Sequence, residues 1–222
     1  MREALSLSKV RGVYDRAARR YDWQHGLATL KSDQRGRRMV VEWGVSPGDH
    51  VLDAGGGTGL TGMLAAQAVG PGGHVTVLDL SESMLAEAQH KAEAAGLADR
   101  MDFIAGDLMS LPFEAETFDA VLSTYSICPL YDPGAGALEL YRVLKPGKLL
   151  SAAHSVEPQG RIVRKLAEWV EAIVWRLPWL SLGCRAVEVL PALTDAGAEL
   201  VRTKRIGVPL WPFIVFSVRK PA

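Results

Sequence analysis

Apolar positions change period along this chain. Over residues 1–45, Val10, Val13, Tyr14, Ala17, Ala18 and Tyr21 recur at helical spacing with Arg and Asp between them, which predicts helices. Beyond the turn "VSPGDH" the pattern switches to short apolar runs. "HVLDA", "HVTVLDL", "MDFIAGD", "FDAVLSTYS" and "LLSAAHS" each read as a buried strand. Between them lie "TGMLAAQAV", closed by "GPGG", and "SESMLAEAQHKAEAAG", with Ser81 at its N-cap and Gly96 at its stop. A third helix, "GAGALELYRVL", is ended by "KPGK". Strands alternating with helices over 47–155 predict βαβ units and a parallel sheet.

The tail has a different pattern. "RIVRKLAEWVEAIVWRL" is amphipathic: Ile162, Val163, Leu166, Trp169, Val170, Ile173, Val174 and Leu177 fall on one face, and Arg161, Arg164, Lys165, Glu168, Glu171 and Arg176 lie mostly opposite. "EVLPALTDAG" is a further helix. "AELVRTKRIG" and "FIVFSVRKP", joined by "VPLWP", read as an antiparallel pair. The expectation is one α/β domain over 1–222, a doubly wound, seven-stranded sheet, mostly parallel with an antiparallel C-terminal strand. Residues 1–45 form a helical cover, 47–155 the core, 158–192 an inserted lid and 193–222 a hairpin.

Composition narrows the function classes. Lys plus Arg and Asp plus Glu are 25 each, so the net charge is zero and nucleic acid is not an expected partner. Cys128 and Cys184 are too few for a disulfide framework or a zinc site and read as buried thiols in a reducing cytoplasm; no metal is expected. No apolar stretch suits a signal peptide or reaches the roughly 20 residues of a membrane span. A soluble cytoplasmic protein, at most touching a membrane from the side, is the expectation. The sequence leaves the oligomeric state open.

The candidate chemistry sits in "VLDAGGGTGL". Glycines there let the backbone turn sharply and let a ligand approach the main chain at the start of a helix. Gly57, Gly59 and Gly62 match the dinucleotide spacing GxGxxG, and Asp79 follows, which keeps a nicotinamide oxidoreductase open. Asp53 argues the other way, because a carboxylate at the strand end would repel a pyrophosphate. A ligand with an amino-acid head, a sulfonium and no phosphate fits better, with Asp53 taking up positive charge directly or through water. Gly55, Gly57 and Gly59 give the alternative register GxGxG. Asp79 at the end of the second strand can accept from ribose hydroxyls, and Asp107 after the third from an adenine amino group, with Leu108 beside the ring.

These residues, with "VTVLDLSESML", "FIAGDLMSLPFEAETFDAV" and "ALELYRVLKPGK", resemble the class I S-adenosylmethionine-dependent methyltransferases, Rossmann-like in fold, over nearly the whole chain. "YDRAARRYDW" resembles the N-terminal helix of the ubiquinone/menaquinone C-methyltransferase group. The resemblance implies S-adenosylmethionine as cofactor, S-adenosylhomocysteine as product, and Tyr14 and Tyr21 near the methionine moiety. It implies Asp53, Gly55, Gly57, Thr58 and Gly59 in the cofactor loop, and Asp79, Leu80 and Met84 at ribose and adenine. Gly106, Asp107 and Leu108 fall at adenine, and Ser123 and Thr124 face the methyl donor. The segments "WQHGLATLKSDQRGRR" and "STYSICPLYDP" depart from the quinone enzymes, and Lys148 replaces a common second glycine. The acceptor therefore stays open between a small hydrophobic quinone precursor and, as in bacterial phospholipid N-methyltransferases, a phospholipid amine.

A ring-carbon acceptor needs a hydroxyl deprotonated, hence a base. His154, ending the fifth strand, is a candidate for catalysis or for packing, and Tyr21 is a second catalytic candidate. His25 reads as structural; His50, His74 and His90 lie in turn or helix-surface contexts. Tyr125 and Tyr131 could orient an acceptor. Trp169, Trp175 and Trp179 beside Arg and Lys allow either a helix packed on the sheet, the reading favoured for most of that face, or a lid with a membrane-facing rim.

Overall fold

A computed structural model of the chain describes residues 6–29, 31–174 and 184–222, with the backbone alone for residues 24, 27, 28, 168 and 170–174. Strands β1 (His50–Ala54), β2 (His74–Asp79), β3 (Met101–Ala105), β4 (Phe118–Thr124), β5 (Leu144–Ser155), β6 (Glu199–Val208) and β7 (Trp211–Arg219) form one sheet in the order β3-β2-β1-β4-β5-β7-β6. β1 to β5 pair in parallel, and β7 is antiparallel to both β5 and β6. This is the expected mostly parallel sheet. β1 and β2 lack hydrophobic alternation because helices cover both faces: Val51, Leu52, Val75 and Val77 are all fully buried. β6 is the opposite case, an edge strand whose Arg202, Lys204 and Arg205 face solvent and discourage further pairing.

One face of the sheet is covered by α3 (Ser32–Gly44), α4 (Leu60–Val69) and α5 (Glu82–Ala94), packing Val40, Ala65, Val69 and Leu85 onto Val51, Val77 and Leu122. The other carries α6 (Pro133–Arg142) and α8 (Leu190–Asp195), whose Leu140 and Leu193 meet Phe118, Leu150 and Phe216. Ser81 caps α5 by accepting from the Met84 amide, and Asp132 caps α6 by accepting from Ala135. α6 starts at Pro133, ahead of the expected Gly134, because proline at the first helical position loses no hydrogen bond. "KPGK" proves to be the entry of β5, with Gly147 donating to the Lys220 carbonyl.

α1 (Leu7–Ala17), a short 3-10 turn (Ala18–Arg20) and α2 (Tyr21–Ala28) lie over the carboxyl ends of the strands. Val13, Ala18 and Tyr21 bury themselves with Met84 of α5. Arg11 pairs with Glu82 and Arg19 with Glu87 at the surface of the same contact.

In α7 (Arg161–Val174) the described residues Ile162, Leu166 and Trp169 depart from the packed reading favoured for most of the amphipathic face. Ile162, Leu166 and Trp169 are 85%, 50% and 64% exposed, so this ridge faces solvent rather than the sheet. Val163 and Ala167, a quarter-turn away, are only half-buried. Trp175, Leu177 and Trp179 fall outside the described residues. No described helix is long and apolar enough to cross a membrane.

Candidate functional site

The sheet reverses winding between β1 and β4, and the crevice outside the carboxyl ends of its strands is where an open α/β sheet binds ligands. A cavity of about 920 Å³, counting space open to solvent, occupies that crevice. The β1–α4 loop forms its floor. Gly55 takes φ +66°, and a Cβ there would lie 2.2 Å from Ser126 Cβ, so the turn admits only glycine. Gly57, at φ +56°, has open space where its Cβ would point, and its amide donates to Asp79 Oδ2 at 2.8 Å.

Asp79 also accepts from the Ser81 amide at 2.9 Å through Oδ1. Two backbone bonds fix the carboxylate and leave lone pairs for a ligand. Burial raises its pKa against the lowering effect of the Ser81, Gly57 and Leu80 amides. Asp107, two residues past β3, is fixed by the Met109 amide at 2.9 Å. Leu78, Leu80, Met84, Gly106 and Leu108 supply apolar walls beside these acids.

Sequence reasoning missed the cavity's buried cation. Arg37 of α3 is 5% exposed and lines the cavity. Its Nη1 donates to Thr61 Oγ1 at 2.9 Å and Thr124 Oγ1 at 2.8 Å, and its guanidinium lies 5.3 Å from the Tyr125 ring centroid. Its Nε makes no hydrogen bond to the protein. Asp33, one helical turn earlier, comes within 3.9 Å of Arg37. Burial pushes Asp33 up, but bonds from His25 and Thr29 win and hold it at about 2. "DQRGRR" looks like a solvated charge run; the missed signal is that Arg37 shares a face with Val40, Val41 and Gly44.

Tyr14 and Tyr21 roof the cavity with ring centroids 5.9 Å apart, beside Leu7, Val10 and Arg11. Burial raises both phenols well above their usual pKa, so they stay protonated. The roof is tied down by groups the sequence did not reveal. Ser81 donates to Asp15, and Asp22 accepts from Thr58 at 2.6 Å and pairs with Lys91.

Of the expected residues, Tyr14, Tyr21, Gly55, Gly57, Thr58, Asp79, Leu80, Met84, Gly106, Asp107, Leu108 and Thr124 line this one cavity. Gly59 and Ser123 sit behind the lining: a Cβ on Gly59 would meet Ala88 at 2.8 Å, and Ser123 contacts Ser126.

Asp53 also corrects an expectation. Strand alternation turns its side chain beneath α4, against Gly56 and Gly62, so it does not reach the ligand space. Neither oxygen makes a hydrogen bond of good geometry to the protein, the Gly62 amide being a weak backbone contact. Burial lifts its pKa to about 7, with nearby Arg37 pulling the other way.

His154 is a further correction. It is 1% exposed, packs edge-on against Phe216 at 5.8 Å, and donates from Nδ1 to the Ser155 carbonyl at 3.0 Å. Burial drops its pKa to about 4, and it does not line the cavity. β5 places it among the apolar side chains facing α6 and α8 rather than at the crevice. Among the described residues, no cluster of His, Cys, Asp and Glu could hold a metal ion.

A family model described as the ubiE/COQ5 methyltransferase family matches residues 2–174. The ubiquinone/menaquinone biosynthesis C-methyltransferase UbiE of Roseobacter denitrificans is 36% identical over 147 residues, 65% of this chain and 58% of that protein. The chain thus spans little more than half the length of that relative. A demethylmenaquinone methyltransferase of Lactiplantibacillus plantarum is 32% identical over 164 residues, covering 73% of this chain and 69% of that one. The crystal structure of the cyclase SpnF matches with a TM-score of 0.78 at 20% identity, over 99% of this chain and 98% of that one, a likeness in fold alone.

The buried Asp53 has a pH signature. With its folded pKa raised from 3.8 to about 7, the native state holds a proton that the unfolded chain has released, so stability falls as pH rises through that window. Asp53→Asn should melt several degrees above the parent at about pH 8, and the gap should close toward about pH 4. A pH-independent gap in a thermal melt series would contradict the buried, weakly bonded carboxylate.

Proposed function

The chain belongs to the ubiE/COQ5 methyltransferase family, and from that premise we propose that it methylates a ring carbon of a small, apolar, quinone-type acceptor using S-adenosylmethionine. The observation carrying this reading is the polarity of the cavity. Two carboxylates, Asp79 and Asp107, lie along one side and a buried guanidinium, Arg37, along another, with apolar walls between. A pyrophosphate beside two acids would be repelled. A nucleoside bearing an amino-acid head suits the set: hydroxyl and amino groups for the acids, a carboxylate for the guanidinium. The nicotinamide alternative loses support on both counts.

S-adenosylmethionine supplies a methyl group already activated by a positive sulfur. The chain's own work is then positioning and exclusion of water, which can supply about 7–11 kcal/mol of barrier reduction. Asp79 holds the ribose and Asp107 the adenine, between Leu78, Met84 and Leu108. Arg37 takes the amino-acid carboxylate; its cost of burial is already met by Thr61 and Thr124. Tyr14 and Tyr21 close over the cofactor and, remaining protonated, offer hydroxyl donors without adding charge. Pro129, Leu130 and Tyr131 form an apolar rim for the acceptor.

An apolar acceptor has to come from a lipid phase. The exposed ridge of Ile162, Leu166 and Trp169, flanked by exposed Arg161, Arg164 and Lys165, has the composition of a helix that lies on an anionic bilayer. In this reading α7, within the segment expected to form a lid, turns its exposed ridge to the membrane.

Two experiments test the proposal. Incubated with labelled S-adenosylmethionine and a total lipid extract, the protein should label a quinone precursor on carbon; label on a phospholipid amine would move it to the alternative acceptor. Asp79→Asn should weaken S-adenosylhomocysteine binding by roughly tenfold or more, the loss of a charge-assisted hydrogen bond; unchanged affinity would remove Asp79 from the ribose. For the membrane rim, Ile162→Glu with Trp169→Glu should abolish co-sedimentation with phosphatidylglycerol vesicles, and undiminished pelleting would exclude α7 as the contact.

A further inference from the structure

The two cysteines, far apart in sequence, are brought to one junction at the wall of the cavity: Cys184 lies against the Tyr125 carbonyl, at the start of the loop that carries Cys128, and Cys128 lies against the Ser155 amide at the end of β5. Residues 184–187 run as a strap across the end of β5 and the loop after β4. Cys184 Sγ donates toward the Tyr125 carbonyl at 3.9 Å and lies 4.0 Å from Tyr14 Oη. Arg185 Nη2 donates to the Leu130 carbonyl at 2.7 Å, and the Val187 amide to the Ser155 carbonyl at 3.0 Å. Cys128 sits within the embraced loop, fully buried, its Sγ accepting from the Ser155 amide at 3.3 Å. Strap and loop are therefore fixed to each other on both sides of the two sulfurs. Both cysteines are free thiols, and Cys184 is only half-buried.

We propose that Cys128 and Cys184 form an oxidisable dithiol that closes reversibly into a disulfide, fastening the 184–187 strap to the cavity-wall loop 125–131. Peroxide is the oxidant. One sulfur takes a peroxide oxygen to become a sulfenic acid and releases one water. The other, as thiolate, displaces the hydroxyl, which leaves as a second water. Two S–H bonds and one O–O bond are lost, one S–S bond forms, and the two electrons end on oxygen. The environment separates the thiols: their mutual contact and the Ser155 amide lower Cys128, while the same contact and burial raise Cys184. That asymmetry leaves Cys128 as the readier thiolate.

The consequence is mechanical. Tyr125, Ser126, Pro129, Leu130 and Tyr131 line the cavity, and Tyr14 roofs it against Cys184. A bond from 128 to 184 locks the loop to the strap and removes the thiol hydrogens from that contact. It also closes a long loop in the unfolded chain, so the oxidised protein is the more stable form. None of this rests on the proposed methyl transfer.

The test uses the full chain treated with hydrogen peroxide, followed by denaturation, alkylation and peptide mapping without reductant. The expected result is a crosslinked peptide pair joining 128 to 184 within one chain, a melting temperature several degrees higher than the reduced protein's, and reversal of both by dithiothreitol. Cys128→Ser and Cys184→Ser should each lose the peroxide-induced rise. Full alkylation of both cysteines after peroxide, or crosslinks only between chains, would overturn the proposal, and the mapping result stands whether or not either variant folds.

Discussion

Burying a guanidinium near a carboxylate at the carboxyl edge of β1 is the constraint to which the surrounding structure answers. Taking either ion out of water costs several kcal/mol, and their attraction offsets this only with good geometry and further hydrogen bonds. Arg37 is compensated by Thr61, Thr124, the Tyr125 ring and the carboxylate of Asp33. Asp53 is not, and its pKa near 7 shows desolvation outweighing the attraction. Those contacts bind α3 to α4 and to the end of β4 at close range. Gly36 is small for that reason: a Cβ there would lie 2.2 Å from Tyr125 Oη.

From this centre the cavity builds outward in two layers. The glycine loop turns over Asp53 and presents the Gly57 amide to Asp79, so this cavity-lining acid is aimed by the backbone of the loop beside it. Above it, α1 and α2 are held by the apolar cluster of Val13, Ala18 and Tyr21 with Met84 and by polar ties: Asp15 to Ser81, and Asp22 to Thr58 and Lys91. Each tie runs from the roof to a residue of the loop or of α5, Ser81 at its N-cap and Lys91 in its last turn. Roof and floor are therefore positioned by the same elements that position the ligand-facing groups.

The sequence made much of this legible where a local rule applies. Continuous apolar runs named β1 to β5, a short connection named the β6–β7 pair, and acids following strands named Asp79 and Asp107. It was less informative where the third dimension decides. Strand alternation sends Asp53 under α4, which no spacing reveals without the register. His154 ends a strand at the correct edge of the sheet, yet its side chain faces α6 and α8. α7 has a strong helical pattern, but periodicity cannot tell a face that packs from a face left exposed, and Ile162, Leu166 and Trp169 are the second kind. Arg37 hid in a charge run because its burial depends on α3 lying flat on β4 and β5.

In the proposed function the buried cation of α3 reads the amino-acid head of the cofactor. The most direct measurement is calorimetric titration of S-adenosylhomocysteine and of 5′-methylthioadenosine, which lacks that head, into the parent and Arg37→Met. The parent should prefer S-adenosylhomocysteine by roughly tenfold or more, the worth of a charge-assisted contact, and Arg37→Met should collapse the preference while leaving methylthioadenosine binding nearly unchanged. An undiminished preference in a folded Arg37→Met protein would contradict this reading.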